Sequence, residues 1–143
     1  MRILFLDIDG VLNHGEGSIY FEDEKVRILN KILTTTDANL VVTSTWRLGA
    51  TPEEMDEVLA SQGVLPGRVV GVTPYLDDQR GREIQEWLKT WTPRYQIEKI
   101  VILDDRNDLA PLDGALIRTS KTIGLTEQDA NLAIQFLNST QPI

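Results

Sequence analysis

Apolar and polar positions follow two periods along the chain. Short, continuously apolar runs occupy residues 3–6, 40–42, 69–72 and 100–103, with a weaker fifth at 115–117. Such runs suit strands buried on both faces, as in a parallel sheet flanked by helices. Between them the spacing becomes helical. Residues 22–33 align Val26, Leu29, Ile32 and Leu33, and residues 80–91 align Ile84, Trp87, Leu88 and Trp91. Thr51-Pro52-Glu53-Glu54 offers a cap residue, a proline at the first helical position and acids in the first turn, which predicts a helix start. Met55, Val58 and Leu59 supply its apolar face and Gly63 its stop. Thr126-x-x-Asp129 predicts a capping box, with Ala130, Ala133, Ile134 and Leu137 turned inward. The alternation predicts an α/β fold: a doubly wound, mostly parallel five-stranded sheet with helices on both faces. Right-handed crossovers would bring the strand ends to one edge.

Composition narrows the class. With 143 residues, 41% apolar and 25% charged, the chain fits one globular domain spanning 1–143. No run nears the roughly 20 apolar residues needed to span a bilayer, so no membrane partner is expected. Asp7 interrupts the N-terminal run too early for a signal peptide, and a cytoplasmic location is the expectation. The absence of cysteine excludes disulfides, thiolate metal sites and a cysteine nucleophile. A net charge of −8 argues against non-specific nucleic-acid binding, while a nucleic-acid end held by a local basic rim stays compatible. Nothing in the sequence fixes the oligomeric state.

Chemistry gathers where the apolar runs stop. The first ends in Asp7-Ile8-Asp9-Gly10, and residues i and i+2 of an extended segment point the same way. Two carboxylates can then face one point beyond the strand's carboxyl end, where open α/β sheets bind ligands. The second run ends in Thr43-Ser44-Thr45-Trp46-Arg47, and the fourth in Asp104-Asp105-Arg106-Asn107-Asp108. Arg80 and Arg82 stand in the first turn of the intervening helix. Two like charges about 4 Å apart repel by roughly 4 kcal/mol at an effective dielectric near 20. Four or five converging carboxylates therefore call for a cation, and oxygen-only ligands on loops suit Mg²⁺. His14, the sole histidine, reads as a solvated residue of the polar loop 14–18.

This pattern resembles the haloacid dehalogenase (HAD) superfamily of Mg²⁺-dependent phosphotransferases, which are Rossmann-like. The first motif matches as Asp7-Ile8-Asp9-Gly10-Val11-Leu12-Asn13, the second at 40–44, and the fourth at 100–103 with Asp104, Asp105 and Asp108. The third, usually a lysine at a helix start, is an arginine here, Arg80 or Arg82; Arg80, four residues before Ile84, has the family's spacing. The resemblance implies an aspartyl-phosphate formed on Asp7 and general acid–base work by Asp9. It implies Mg²⁺ held by the Asp7 side chain, the Asp9 carbonyl and Asp104, with Asp105 and Asp108 acting through water or orienting the ligands. It also implies a phosphoryl-binding hydroxyl on Ser44, with Thr43 as the alternative, and charge balance from Arg80.

The intervals between motifs leave no room for a large cap domain, and capless members often act on bulky substrates such as nucleic-acid ends, nucleotides or phosphoproteins. Thr45, Trp46, Arg47 and Arg82 are then candidate substrate-binding residues, with Trp46 stacking on a base and Arg47 gripping a phosphate. The plainer expectation for Trp46 is packing between loop and helix. The Ser44-x-Trp46-Arg47 ending is also faintly similar to HAD domains of RNA-repair proteins. Two other readings remain: a catalytically silent Mg²⁺-binding or interaction domain on the same fold, and a receiver-type phospho-signalling domain, whose acceptor aspartate would stand where this chain has Val72-Thr73-Pro74.

Overall fold

A computed structural model describes residues 1–14 and 18–139. Five strands form one sheet: β1 (Arg2–Leu6), β2 (Asn39–Val42), β3 (Val69–Val72), β4 (Lys99–Asp104) and β5 (Leu116–Arg118). Their order is β3-β2-β1-β4-β5, and all four neighbouring pairs are parallel. The helices among the described residues are α1 (Asp23–Thr36), α2 (Pro52–Ser61), α3 (Arg80–Tyr95) and α4 (Glu127–Leu137). The loop expected over residues 14–18 lies partly outside the described residues.

The pleat of β1 explains the two layers. Leu4 and Leu6 pack into one apolar cluster with residues of α1, α2 and α4, while Ile3 and Phe5 pack into another with Ile84 and Trp87 of α3. These four side chains are fully buried, and only Arg2 at the start of β1 is not. A strand with helices on both faces has no polar side to offer, so its sequence is continuously apolar. The receiver-type arrangement would set β3 inside the sheet; here β3 is an edge strand and β1 is central. Among the described residues no large domain is inserted between these elements.

The helix starts follow their predicted chemistry. Thr51 with Glu54, and Thr126 with Asp129, form reciprocal capping boxes. Three details differ. Val58 is exposed while Met55 and Leu59 are buried, because α2 turns only a narrow stripe to the core. Ala115 belongs to a 3-10 turn, and β5 begins at Leu116. The third helix continues through Pro93 to Tyr95 instead of stopping at 91. Trp91 and Tyr95 stack at 5.5 Å and both rings neighbour Trp87, so an aromatic face holds the last turn against the sheet.

Candidate active site

Register builds the site. Leu6 pairs with Val42 on one side and Leu103 on the other. The next residues, Asp7, Thr43 and Asp104, are therefore neighbours, with Asp7 N–H donating to Leu103 O at 3.0 Å and Thr43 N–H to Leu6 O at 3.0 Å. A hollow of about 270 Å³ opens above them, lined by Asp7, Asp9, Ser44, Thr45, Arg80, Asp105, Arg106 and Lys121. A larger hollow of about 580 Å³ lies beside β3 and α3, but brings no acids together. Chemistry, not size, marks the site.

Carboxylate oxygens of Asp7, Asp104 and Asp105 lie within 4.8 Å of one another. Asp104 is fully buried and Asp7 nearly so. Burial pushes the Asp7 carboxyl well above its ordinary pKa; the Asp104 charge adds to this, Arg80 opposes it, and Asp105 adds again. Burial also raises Asp104, against the pull of Arg80 and of a hydrogen bond from the Arg106 backbone. Arg80 Nη1 stands 2.6 Å from Asp104 Oδ2 and 3.4 Å from Asp7 Oδ1. Burial works against the Arg80 charge, but Asp104 and Asp7 outweigh it and its pKa rises.

Arg80 pairs with two of these carboxylates, Asp7 and Asp104, and burial disfavours the charged form of both. Oxygen donors so arranged fit a hard divalent cation. Gly10 supplies the cradle: at φ +82°, a Cβ there would fall 2.5 Å from Asp105 Oδ2. A glycine is required both by the turn and by the close approach of that carboxylate.

Asp9 stands apart from this cluster, half-buried. Its Oδ1 accepts from Asn13 Nδ2 at 2.9 Å and from Trp46 Nε1 at 3.3 Å. The Trp46 ring packs on Phe21 with centroids 5.5 Å apart. Trp46 is thus wedged between loop and core rather than presented to stack on a base. Ser44 borders the hollow and its Oγ accepts from Trp46 N–H. Thr43 is fully buried and not among the residues lining the hollow. Of the two hydroxyls, Ser44 has the access.

Several expected residues are placed elsewhere. Arg47 is buried, donating to the carbonyls of Thr43, Ser44, Thr73 and Pro74 and pairing with buried Glu83 at 3.1 Å. Its fork is consumed by loop carbonyls, which corrects the expectation that it grips a phosphate. Arg82 is exposed in the hollow beside β3, because two residues along α3 put it on the opposite face from Arg80. Asp108 is exposed and held by Arg106 at 2.5 Å and 2.9 Å, outside the carboxylate cluster, and that bonding lowers its pKa. His14 is exposed, meeting Thr122 O at 3.1 Å and Glu22 at 3.3 Å.

Two further residues that sequence reasoning passed over stand at the site, Arg106 in the lining of the hollow and buried Glu83 against Arg80. Arg106 is bonded to Asp78 and Asp108. Its place two residues after Asp104 was the available signal. Glu83, which joins Arg47 to the Arg80 region, was signalled only by its i,i+3 spacing from Arg80.

The sequence model of a family described as HAD domain in Swiss Army Knife RNA repair proteins matches residues 3–130. No curated protein matches the chain.

Proposed function

Since the chain belongs to the family of HAD domains found in Swiss Army Knife RNA repair proteins, we propose that it is a Mg²⁺-dependent phosphomonoesterase that removes a terminal phosphate from RNA. The convergence of Asp7, Asp104 and Asp105 beside Arg80 carries this reading. The substrate class rests on the family's description and on an open hollow over which, among the described residues, no large inserted domain lies.

In this reading Asp7 is the nucleophile. One of its oxygens bonds to phosphorus as the ester bond breaks, giving an aspartyl-phosphate and splitting one hard displacement into two easier ones. Asp9 gives its proton to the leaving oxygen, then takes one from the water that cleaves the acyl phosphate and regenerates Asp7. The Ser44 hydroxyl and the Arg80 guanidinium donate to phosphoryl oxygens on which charge develops. Asp7, Asp104, Asp105 and the Asp9 carbonyl would hold Mg²⁺, which supplies charge neutralisation at the transferring group when bound. Arg80 meets both Asp7 and Asp104 through the single nitrogen Nη1; what its guanidinium adds over a lysine amine is a fork able to hold phosphoryl oxygens bidentately.

The test is phosphate release from 3′- and 5′-phosphorylated oligoribonucleotides and from p-nitrophenyl phosphate, with Mg²⁺ or with chelator. Turnover is expected only with the metal and is lost in Asp7→Asn. Mg²⁺ binding without any turnover would instead identify a catalytically silent domain.

A further inference from the structure

Two N–H donors converge on a single oxygen of Asp9, and they come from different parts of the chain. Asn13, 1% exposed, belongs to the loop after β1 and donates at 2.9 Å; Trp46, from the 3-10 turn after β2, donates at 3.3 Å. Both donors are themselves fixed. Asn13 Oδ1 accepts from Gly10 N–H at 3.2 Å, while the Trp46 ring leans on buried Phe21 and its backbone N–H caps onto Ser44 Oγ. The indole contact is on the long side for an N–H···O bond, as catalytic contacts often are without substrate.

We propose that Trp46 is a positioning residue for leaving-group protonation: with Asn13 it pins Asp9 Oδ1 and so assigns the mobile proton to Oδ2. A proton on Oδ1 would face two N–H groups, so the neutral acid carries it on the other oxygen. That proton passes from Oδ2 to the bridging ester oxygen as its bond to phosphorus breaks and the electron pair stays on oxygen. Asp9 is left as a carboxylate, and Oδ2 recovers a proton from the hydrolytic water. An indole suits the task because it only donates and never carries charge. A lysine at this place would compete with Arg80 for the phosphoryl group. The inference rests on the phosphatase reading and adds which atom moves the proton and what aims it.

The experiment compares two substrates of similar size that differ in leaving group. p-Nitrophenyl phosphate releases a stable phenolate and needs little protonation; benzyl phosphate releases an alkoxide and needs the acid. The ratio kcat/KM reports steps up to phosphorylation of Asp7, so the later water attack does not blur the comparison. Trp46→Phe keeps an aromatic ring against Phe21 and removes the N–H. It is expected to lower kcat/KM for benzyl phosphate by about tenfold or more, and that for p-nitrophenyl phosphate by less than about twofold. Asn13→Ala, which removes the second donor to the same oxygen, is expected to show the same selective loss. Equal losses on both substrates in the two variants, or no loss in either, would overturn the assignment. If the wild type released no phosphate with Mg²⁺ from either ester or from the phosphorylated oligoribonucleotides, the phosphatase reading would fall and this inference with it.

Discussion

At Asp7, burial and two neighbouring carboxylates act in one direction, and Arg80 offsets them only in part. The folded, metal-free protein thus keeps a proton that the unfolded chain releases near the ordinary value of 3.8. A group raised in this way stabilises the fold fully below its unfolded pKa, and the contribution is lost as pH rises through its folded value. With chelator present, Asp7→Asn should therefore melt above the wild type at neutral pH, and the gap should shrink as pH falls toward about 4. Thermal unfolding across that range checks this, and a constant gap would contradict it. Arg80 supports a second expectation. Arg80→Ala should lower kcat roughly a hundredfold, the scale of losing one preorganised donor, whereas Arg82→Ala should leave kcat intact in the same assay. The reverse pattern would mean that the wrong arginine has been assigned. These residues were legible because spacing survives folding: an i,i+2 pair of aspartates and a basic residue four before Ile84 can be read without coordinates. Arg47 was not legible as a structural residue. Next to a serine and a tryptophan at a strand end it reads as a ligand-binding cation, and only the carbonyls brought from residues 73 and 74 reveal its task.

At the scale of elements, the site depends on strand register and on how closely α3 approaches the loop after β4. Leu6, Val42 and Leu103 are level, which makes their successors neighbours. Gly81 lets the first turn of α3 press on that loop: a Cβ there would meet Ala110 O at 2.5 Å. This contact brings Arg80 within reach of Asp104. The other anchor is the buried Arg47–Glu83 pair, which ties the loops after β2 and β3 to α3. Removing one partner leaves the other charge buried, so Arg47→Met should cost about 3–5 kcal/mol in denaturant unfolding. A loss below about 1 kcal/mol would place the pair among weakly coupled surface bridges. The strands and helices were legible from periodicity and caps; the length of α3 was not. Pro93 signals a helix end by local rules, and the stacking of Trp91 on Tyr95 overrides it through packing.

Across the whole molecule, a central β1 flanked by β2 and β4 places the acidic strand ends side by side on one edge. Alternating runs predicted the doubly wound class, but strand order is set by which crossovers the chain takes, and periodicity is blind to that. The clustering of three carboxylates within 4.8 Å is likewise a property of the assembled sheet, although each of the three is visible in the sequence. Under the proposed function, the chain's net charge of −8 and its small hollow would favour a chain end as substrate over tracking along a phosphate backbone. The chemistry is tested most directly by trapping the covalent intermediate. Asp9→Asn can still accept phosphate from p-nitrophenyl phosphate, whose leaving group needs no acid, but lacks the base for hydrolysis. Acid-quenched after incubation with Mg²⁺ and digested for mass spectrometry, this variant should carry one phosphoryl group on Asp7. Release of p-nitrophenol with Asp7 unmodified, or with the phosphoryl group on another residue, would contradict the mechanism.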